Sequence, residues 1–432
     1  METSGVKSIK SPIDFRFGNH SLKDIHDVTK VNSIYGVNGS GKSAVVLSIQ
    51  ILIGLLQNPD FLAENKRGFL KDIINFDSKK YCMNITFLSH DEEKISDVFR
   101  YDIAFSKKDD GFLIEEESLG ILSEGKKEKT IYSIKNGQFL ILDIDDEQYR
   151  ETIIENSRNL LTKSTLLSLH PELQTGIEEQ KCSKTNIFSY GILNLFYFSH
   201  SMAIFTDGEN IPHNPDMDYE SLKNYAQEKI NNPDINENIN QERIRVSKKD
   251  YGAFEISTHH LTEFIQLFKP ELKGIILDKK EFGENDYLIE RIFDYGGSNK
   301  INQYLESSGI RRICKMFNIL SYAAKGGIVF IDELDASISG IYLSKLLEYL
   351  LEYSKGQLCF TCHNTFLMSV LKKQKYGIDF ISPYSFTKTW TKNAHYTPEK
   401  QFTEGFIPGF PVNAIDLDFM HIFPAEDSEN GR

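Results

Sequence analysis

"GVNGSGKS", Gly36–Ser43, is the stretch on which the fold turns. It fits G-x-x-x-x-G-K-[ST], a phosphate-binding loop, provided a strand runs into it and a helix leaves it. Both flanks comply. Upstream, Val28, Val31, Ile34 and Tyr35 read as an apolar strand; downstream, Val45, Val46, Ile49, Leu52, Ile53 and Leu56 recur at helical spacing. The glycines let backbone N–H groups face a phosphate, and the helix N-terminus adds a favourable dipole. Gly36, Asn38, Gly39, Ser40, Gly41, Lys42, Ser43 and Ala44 are therefore the candidate contacts for ATP. Lys42 reaches for the β/γ-phosphates, and Ser43 is a ligand for Mg²⁺. A glycine-rich turn without a function would need neither flank.

Further along, the apolar strand Gly327-Ile328-Val329-Phe330-Ile331 ends in Asp332-Glu333. Such pairs are common as plain loop residues. Behind a phosphate-binding loop they gain a chemical role, in which Asp332 orients or ligates Mg²⁺ and Glu333 polarises an attacking water. A second apolar strand ends in "QLCFTCHNTF", Gln357–Phe366. Read locally, its C-x-x-C-H is the attachment signature of a c-type haem. Strand context argues otherwise. Adjacent strand ends of a parallel sheet lie side by side, so His363 is expected beside the γ-phosphate, while Cys359 and Cys362 become small buried residues of low reactivity. No second Cys/His cluster offers a metal its remaining ligands. Between the loop and the acidic strand, Glu306-Ser307-Ser308-Gly309-Ile310-Arg311-Arg312 opens an apolar helix with Ile313, Met316, Phe317 and Leu320. Ser308-Gly309 at a helix start exposes N–H donors, a second anion site, although an ordinary cap is the plainer reading of that stretch alone.

The chain has 432 residues, 40 % of them hydrophobic, enough for one large domain with insertions. We expect one α/β domain over 1–432. Residues 1–150 would carry the loop and an antiparallel β lobe, 151–310 a helical lobe, and 311–432 the acidic and histidine strands with a C-terminal subdomain. The β lobe is read from alternating segments between Tyr81 and Leu142, with Asn136-Gly137 as a type I′ hairpin signal. Residues 212–249 are Asn-rich and polar and read as a surface insertion. Neither an internal repeat nor a heptad run is visible, which sets aside long-armed coiled-coil proteins.

Five cysteines make no disulfide framework, and free thiols suit a reducing compartment, which further weakens the haem reading. Met1 to Asn19 is polar and charged, unlike a signal peptide, and Ala44–Leu56 is too short to cross a bilayer. A cytoplasmic protein without a membrane partner is expected. A net charge of −13 opposes a wholly basic nucleic-acid binder while leaving a local DNA contact open. His259-His260 reads as a solvent-facing pair, Trp390 as packing for the C-terminal subdomain, and Lys372, Lys373 and Lys375 as a solvated face.

The order of these motifs resembles the heads of ABC-type ATPases. More narrowly, "KVNSIYGVNGSGKS", "YLESSGIRR", "GGIVFIDELDASIS" and "LCFTCHNTF" are similar to blocks of the OLD/AAA15-like ATPases common in bacterial anti-phage systems, abortive-infection or PARIS-type. "FRYDIAF…IEEESL" is similar to the β lobe of that family. The resemblance implies an ABC-type head: a mixed sheet around the loop, an antiparallel β lobe and a helical signature lobe. It implies Lys42 and Ser43 as phosphate and Mg²⁺ contacts, Asp332 as the Walker B carboxylate, Glu333 as catalytic base and His363 as switch histidine. Ser308 and Gly309 would be the signature that touches ATP held by a second subunit, and Asp335–Ser339 the loop coupling the two sites. Ser339 stands where relatives often carry histidine.

The implied function is an ATPase that closes and opens a homodimer or higher oligomer as sensor or regulator in anti-phage defence. After His363 the sequence offers no second acidic constellation for a nuclease, so a separate effector, such as a nuclease, and a phage-encoded trigger are the expected partners. Two other classes stay open: an SMC-like ATPase of DNA repair or maintenance, and a nucleotide-gated scaffold with slow hydrolysis.

Overall fold

The computed structural model describes residues 1–18, 28–64, 69–91, 94–108, 111–122, 127–170, 187–206, 244–383, 386–392 and 396–407. Its centre is a six-stranded sheet: β1 (Val31–Tyr35), β2 (Met202–Phe205), β3 (Ile328–Ile331), β4 (Gln357–Cys362), β5 (Ile378–Ser382) and β6 (Phe386–Thr389). The strand order is β6-β5-β1-β4-β3-β2. All neighbours run parallel except β6 against β5. Such a sheet must be covered on both faces, and its strands accordingly read as continuous apolar runs.

The period of two divides the strands cleanly between two cores. Ile34, Ile204, Phe330 and Cys359 face one core together with helices α1 (Lys42–Gln57) and α2 (Ile187–Ser201) and the β lobe. Tyr35, Phe205, Ile331, Phe360 and Cys362 face the other, against helix Tyr251–Gln266, α3 (Ser308–Lys325) and α4 (Gly340–Tyr353). Burying one leucine- or isoleucine-sized side chain contributes about 1.5–3 kcal/mol. The six apolar positions of α1 that set its helical spacing are all buried, so the loop before it is firmly anchored.

The β lobe is a seven-stranded antiparallel sheet containing Lys80–Asp91, Lys94–Lys108, Gly111–Leu122, Lys129–Lys135 and Gln138–Leu142. Asn136 and Gly137 both have positive φ, 49° and 77°, as the hairpin reading requires. Glu2–Ser4 and Ile13–Asp14 complete this sheet, a pairing that the sequence reading did not anticipate. The fold is thus α/β, with a mixed sheet around the loop and an antiparallel lobe, as expected. Most of 212–249 lies outside the described residues. Its end does not: Ile244–Ser247 is a strand paired with Asp286–Asp294, which itself forms a hairpin with Gly274–Phe282. Those four residues belong to a sheet rather than to a polar surface insertion, because Val246 is buried. This small sheet and helix Tyr251–Gln266 flank α3.

Candidate nucleotide site

Tyr35 ends β1, and the chain turns through Gly36–Gly41 into α1. Gly39 and Gly41 have φ of 78° and 106°, a region that suits glycine. At Gly36 a Cβ would stand 2.6 Å from the Ile381 carbonyl oxygen, so the close approach of β5 also demands glycine there. Asn38 and Gly39 are exposed at the loop tip, Ser40 and Ala44 are buried, and Ser43 is half-buried. Lys42 is 6 % exposed and lies across the loop, donating to the carbonyl oxygens of Gly36 (2.8 Å) and Val37 (3.2 Å). Burial lowers its pKa, and the carboxylates of Asp332, Glu333 and Asp335 oppose that shift. The Lys42 cation thus rests on two carbonyl oxygens of the loop, within electrostatic reach of Asp332, Glu333 and Asp335.

Strand register brings the distant motifs together. On one side of β4, Cys362 pairs with Tyr35; on the other, Phe360 pairs with Ile331. The histidine strand therefore lies between the loop strand and the acidic strand. Thr361 ties the last two: its hydroxyl donates to Asp332 Oδ1 (2.6 Å) and accepts the Glu333 N–H (2.7 Å). From the other flank, the Asp332 N–H donates to the Phe205 carbonyl of β2 (2.8 Å). Glu333 is exposed and takes φ of 53°, a left-handed conformation unusual for glutamate. Arg312 on α3 donates to the carbonyl oxygens of Asp332 (3.0 Å) and Glu333 (2.6 Å).

His363 is exposed just past β4. Asp335 fixes its backbone by accepting from the amides of His363 (3.1 Å) and Asn364 (2.8 Å). Ser308 is the first residue of α3, and Ser307 before it is the N-cap, accepting from the Ile310 amide at 3.4 Å. Gly309 abuts the loop that follows Glu333: a Cβ there would stand 2.5 Å from the Ser337 carbonyl oxygen. Ser339 is the N-cap position of α4, and its side chain makes no capping bond. The structure thus gathers the phosphate loop, Asp332, Glu333 and His363 at one edge of the sheet. Ser308 and Gly309 meet that edge through Ser337.

The two thiols of the haem-like stretch sit on opposite faces of the sheet, Cys359 in one core and Cys362 in the other. Burial pushes both pKa values up. One haem or one metal cannot bridge them. Among the described residues no cluster of three or more His, Cys, Asp or Glu could hold a metal. For Mg²⁺ the relevant groups are hard oxygens, the Ser43 hydroxyl and the second oxygen of Asp332, which fit that ion's preference. His259 and His260 are exposed on helix Tyr251–Gln266, where His259 does have a carboxylate neighbour, Glu263 at 3.6 Å. Trp390 is buried against the core. No helix among the described residues is long and apolar enough to cross a membrane. The sequence reading named Ser307, Arg312 and Asp335 only as members of their stretches and gave Thr361 no part, so the contacts these four make were missed. The only signal was their position within one turn or one residue of a motif.

A family model described as "AAA domain, putative AbiEii toxin, Type IV TA system" matches residues 31–369, well over half of the chain. No curated protein matches. Among solved structures, the chain is similar to an SMC head bound to the C-winged helix domain of ScpA. There the identity is 15 % and the TM-score 0.42, with 91 % of this chain and 97 % of that one covered. It is also similar to an SMC head with an extended coiled coil, bound to the C-terminal domain of ScpA derived from Pyrococcus furiosus. That match has 14 % identity and a TM-score of 0.38, covering 91 % and 95 %. The SMC head domain from Thermotoga maritima matches at 13 % identity and a TM-score of 0.31, covering 90 % and 98 %.

Proposed function

The chain belongs to this AAA-domain family, and from that premise we propose that it binds ATP with Mg²⁺ and hydrolyses it, as the regulator of an anti-phage defence system with a separate effector. One observation carries the ATPase reading: Thr361 locks Asp332 and Glu333 beside the strand that ends at His363, next to the strand that enters the Lys42 loop. Three motifs far apart in sequence share one edge.

Each residue's part follows from its chemistry. Lys42 exchanges the Gly36 and Val37 carbonyls for β- and γ-phosphate oxygens, helped by the loop amides. Ser43 and Asp332 would hold Mg²⁺, which would supply positive charge against the charge that develops on the phosphates. Glu333, exposed and held in a left-handed conformation, takes a proton from the attacking water. His363 hydrogen-bonds the γ-phosphate and keeps that water in line, while Asp335 fixes its backbone. Ser308 and Gly309 contact ATP held by a second copy, so hydrolysis loosens the pair. The defence role is supported by the likeness of four motif blocks to anti-phage ATPases and by the toxin wording of the family description.

Titration with ATP tests the site. Lys42→Ala should lose at least about tenfold in affinity, a cost of about 1.4 kcal/mol or more. Glu333→Gln should bind ATP normally and hydrolyse it about a hundredfold more slowly, the scale of one general base. Unchanged affinity in a folded Lys42→Ala protein would refute the assignment. The defence role fails if cells carrying Lys42→Ala resist phage as well as cells carrying the unaltered gene with its neighbours.

A further inference from the structure

Helix α3 buries an arginine on its core-facing side. Arg312 is 6 % exposed among Ile310, Ile313, Cys314 and Met316, and its guanidinium lies 5.2 Å from the Phe205 ring. Burying a cation is costly unless its hydrogen bonds are well used. Here Nη2 alone serves two successive carbonyl oxygens, those of Asp332 and Glu333. Those carbonyls point to one nitrogen because Glu333 adopts φ of 53°. A left-handed glutamate persists only where its surroundings over-determine it. Its amide is held by Thr361 and its carbonyl by Arg312, one bond from the sheet and one from the helix.

The same helix touches the following loop a second time. Gly309, three residues before Arg312, abuts the Ser337 carbonyl so closely that a Cβ would be 2.5 Å away, and Ser337 itself has φ of 60°. The first turn of α3 therefore grips residues 332–337 at both ends. A helix end that moves carries both grips with it.

We propose that Arg312 is a positioning residue: it transmits the state of the α3 N-terminus to Glu333 of the same chain by holding the Asp332 and Glu333 carbonyls. This rests on the reading that Glu333 is the base of an ATPase. When Ser308 and Gly309 engage a nucleotide, α3 is fixed, Arg312 is fixed with it, and the Glu333 carboxylate is held where it meets water. When the helix is free, the acid is less well held although the phosphate loop is intact. In this role Arg312 acts through the backbone of Asp332 and Glu333.

Three variants test it. Arg312→Met keeps an unbranched apolar chain at the position and removes both bonds; Arg312→Leu, likewise without a donor, replaces it should the methionine protein fail to fold. Arg312→Lys restores a single nitrogen, which is all that Nη2 supplies. For the methionine variant we expect kcat to fall at least about tenfold with KM within about threefold, because ground-state binding is untouched. Arg312→Lys should return kcat to within about threefold of the unaltered protein. Amide hydrogen exchange over residues 331–339 should quicken at least about tenfold in Arg312→Met and not in Arg312→Lys, with residues 36–43 unchanged. Glu333→Gln should slow hydrolysis without changing exchange, separating loss of the base from loss of its position. A kcat within about twofold of normal in folded Arg312→Met overturns the proposal, whatever the exchange shows. If the unaltered protein hydrolyses no ATP, the ATPase reading is lost, and exchange alone decides whether Arg312 holds the loop: unchanged exchange overturns it.

Discussion

Glu117 shows how a single buried carboxyl shapes the pH response of the β lobe. It is 1 % exposed in the β lobe, accepting from the Tyr101 hydroxyl (3.1 Å), the Tyr132 hydroxyl (2.8 Å) and the Leu166 amide (3.0 Å). Burial pushes its pKa up to about 7 from 4.5, and those three hydrogen bonds restrain the rise. An acid with a raised folded pKa keeps its proton in the fold after the unfolded chain has lost it. The stability it contributes is complete below about 4.5 and disappears as pH climbs through about 7. Asp379 on β5 of the central sheet, pushed up to about 6 by burial, acts in the same direction. Thermal unfolding should therefore show a midpoint that falls between pH 5 and pH 8, by the equivalent of about 1–3 kcal/mol. Glu117→Gln should flatten most of that slope. A midpoint rising over this interval, or a slope unaltered in Glu117→Gln, would count against the buried-carboxyl account. Burial acts on Lys42 with the opposite sign, lowering the pKa of a cation, and the carboxylates of Asp332, Glu333 and Asp335 offset only part of that shift.

At the scale of elements, the reading of "CFTCH" turns on whether it is a strand or a loop. On a strand, positions i and i+3 point to opposite faces, and β4 does place Cys359 and Cys362 in separate cores. Replacing both by alanine should leave ATP affinity and hydrolysis within about threefold of normal while lowering stability by about 1–3 kcal/mol, the cost of two small cavities. The purified protein should show no haem absorbance and no stoichiometric zinc; a covalent haem band would overturn the assignment. Local signals made such elements legible. The loop was readable from its glycines, α1 from its helical spacing, and the hairpin from Asn136-Gly137. What sequence could not display was register. Nothing local says that Thr361, rather than Cys362, meets Asp332, because that depends on Phe360 pairing with Ile331 across the sheet. Arg312 was unreadable for a related reason: a basic residue after Ser308 suits a solvated helix start, and only the packing of α3 turns it inward. Glu2–Ser4 and Ile13–Asp14 are too short to show a period, so their place in the β lobe followed from pairing alone.

For the whole molecule the question is whether one chain suffices. Ser308 is exposed at the start of α3, and its own chain uses Gly309 and Arg312 to grip residues 332–337 rather than to reach the Gly36–Ser43 loop. Large apolar side chains stand exposed within three residues of the proposed contacts: Leu305 (67 %) before Ser308, Ile341 (67 %) after Ser339, and Phe366 (52 %) after His363. Exposed apolar surface around polar groups is what a nucleotide-gated contact between copies would bury. In the proposed function ATP would bridge two chains, held by Lys42 of one and by Ser308 and Gly309 of the other, and its hydrolysis would remove the bridge. Glu333→Gln should hold the closed pair with ATP, and ADP should loosen it in light scattering. Ser308→Arg should bind ATP within about threefold of normal yet hydrolyse at least about tenfold more slowly, because charge and bulk obstruct only the second face. Mixing decides the matter. Lys42→Ala chains keep an intact Ser308, and Ser308→Arg chains keep an intact Lys42, so their pair contains one complete site made in trans. Each variant alone should be nearly inactive. An equal mixture should recover hydrolysis, up to about a quarter of normal on statistical pairing and less if the two sites must fire together. Normal hydrolysis by Ser308→Arg alone, with association indifferent to nucleotide, would mean that each chain completes its own site and that α3 serves only to hold Glu333.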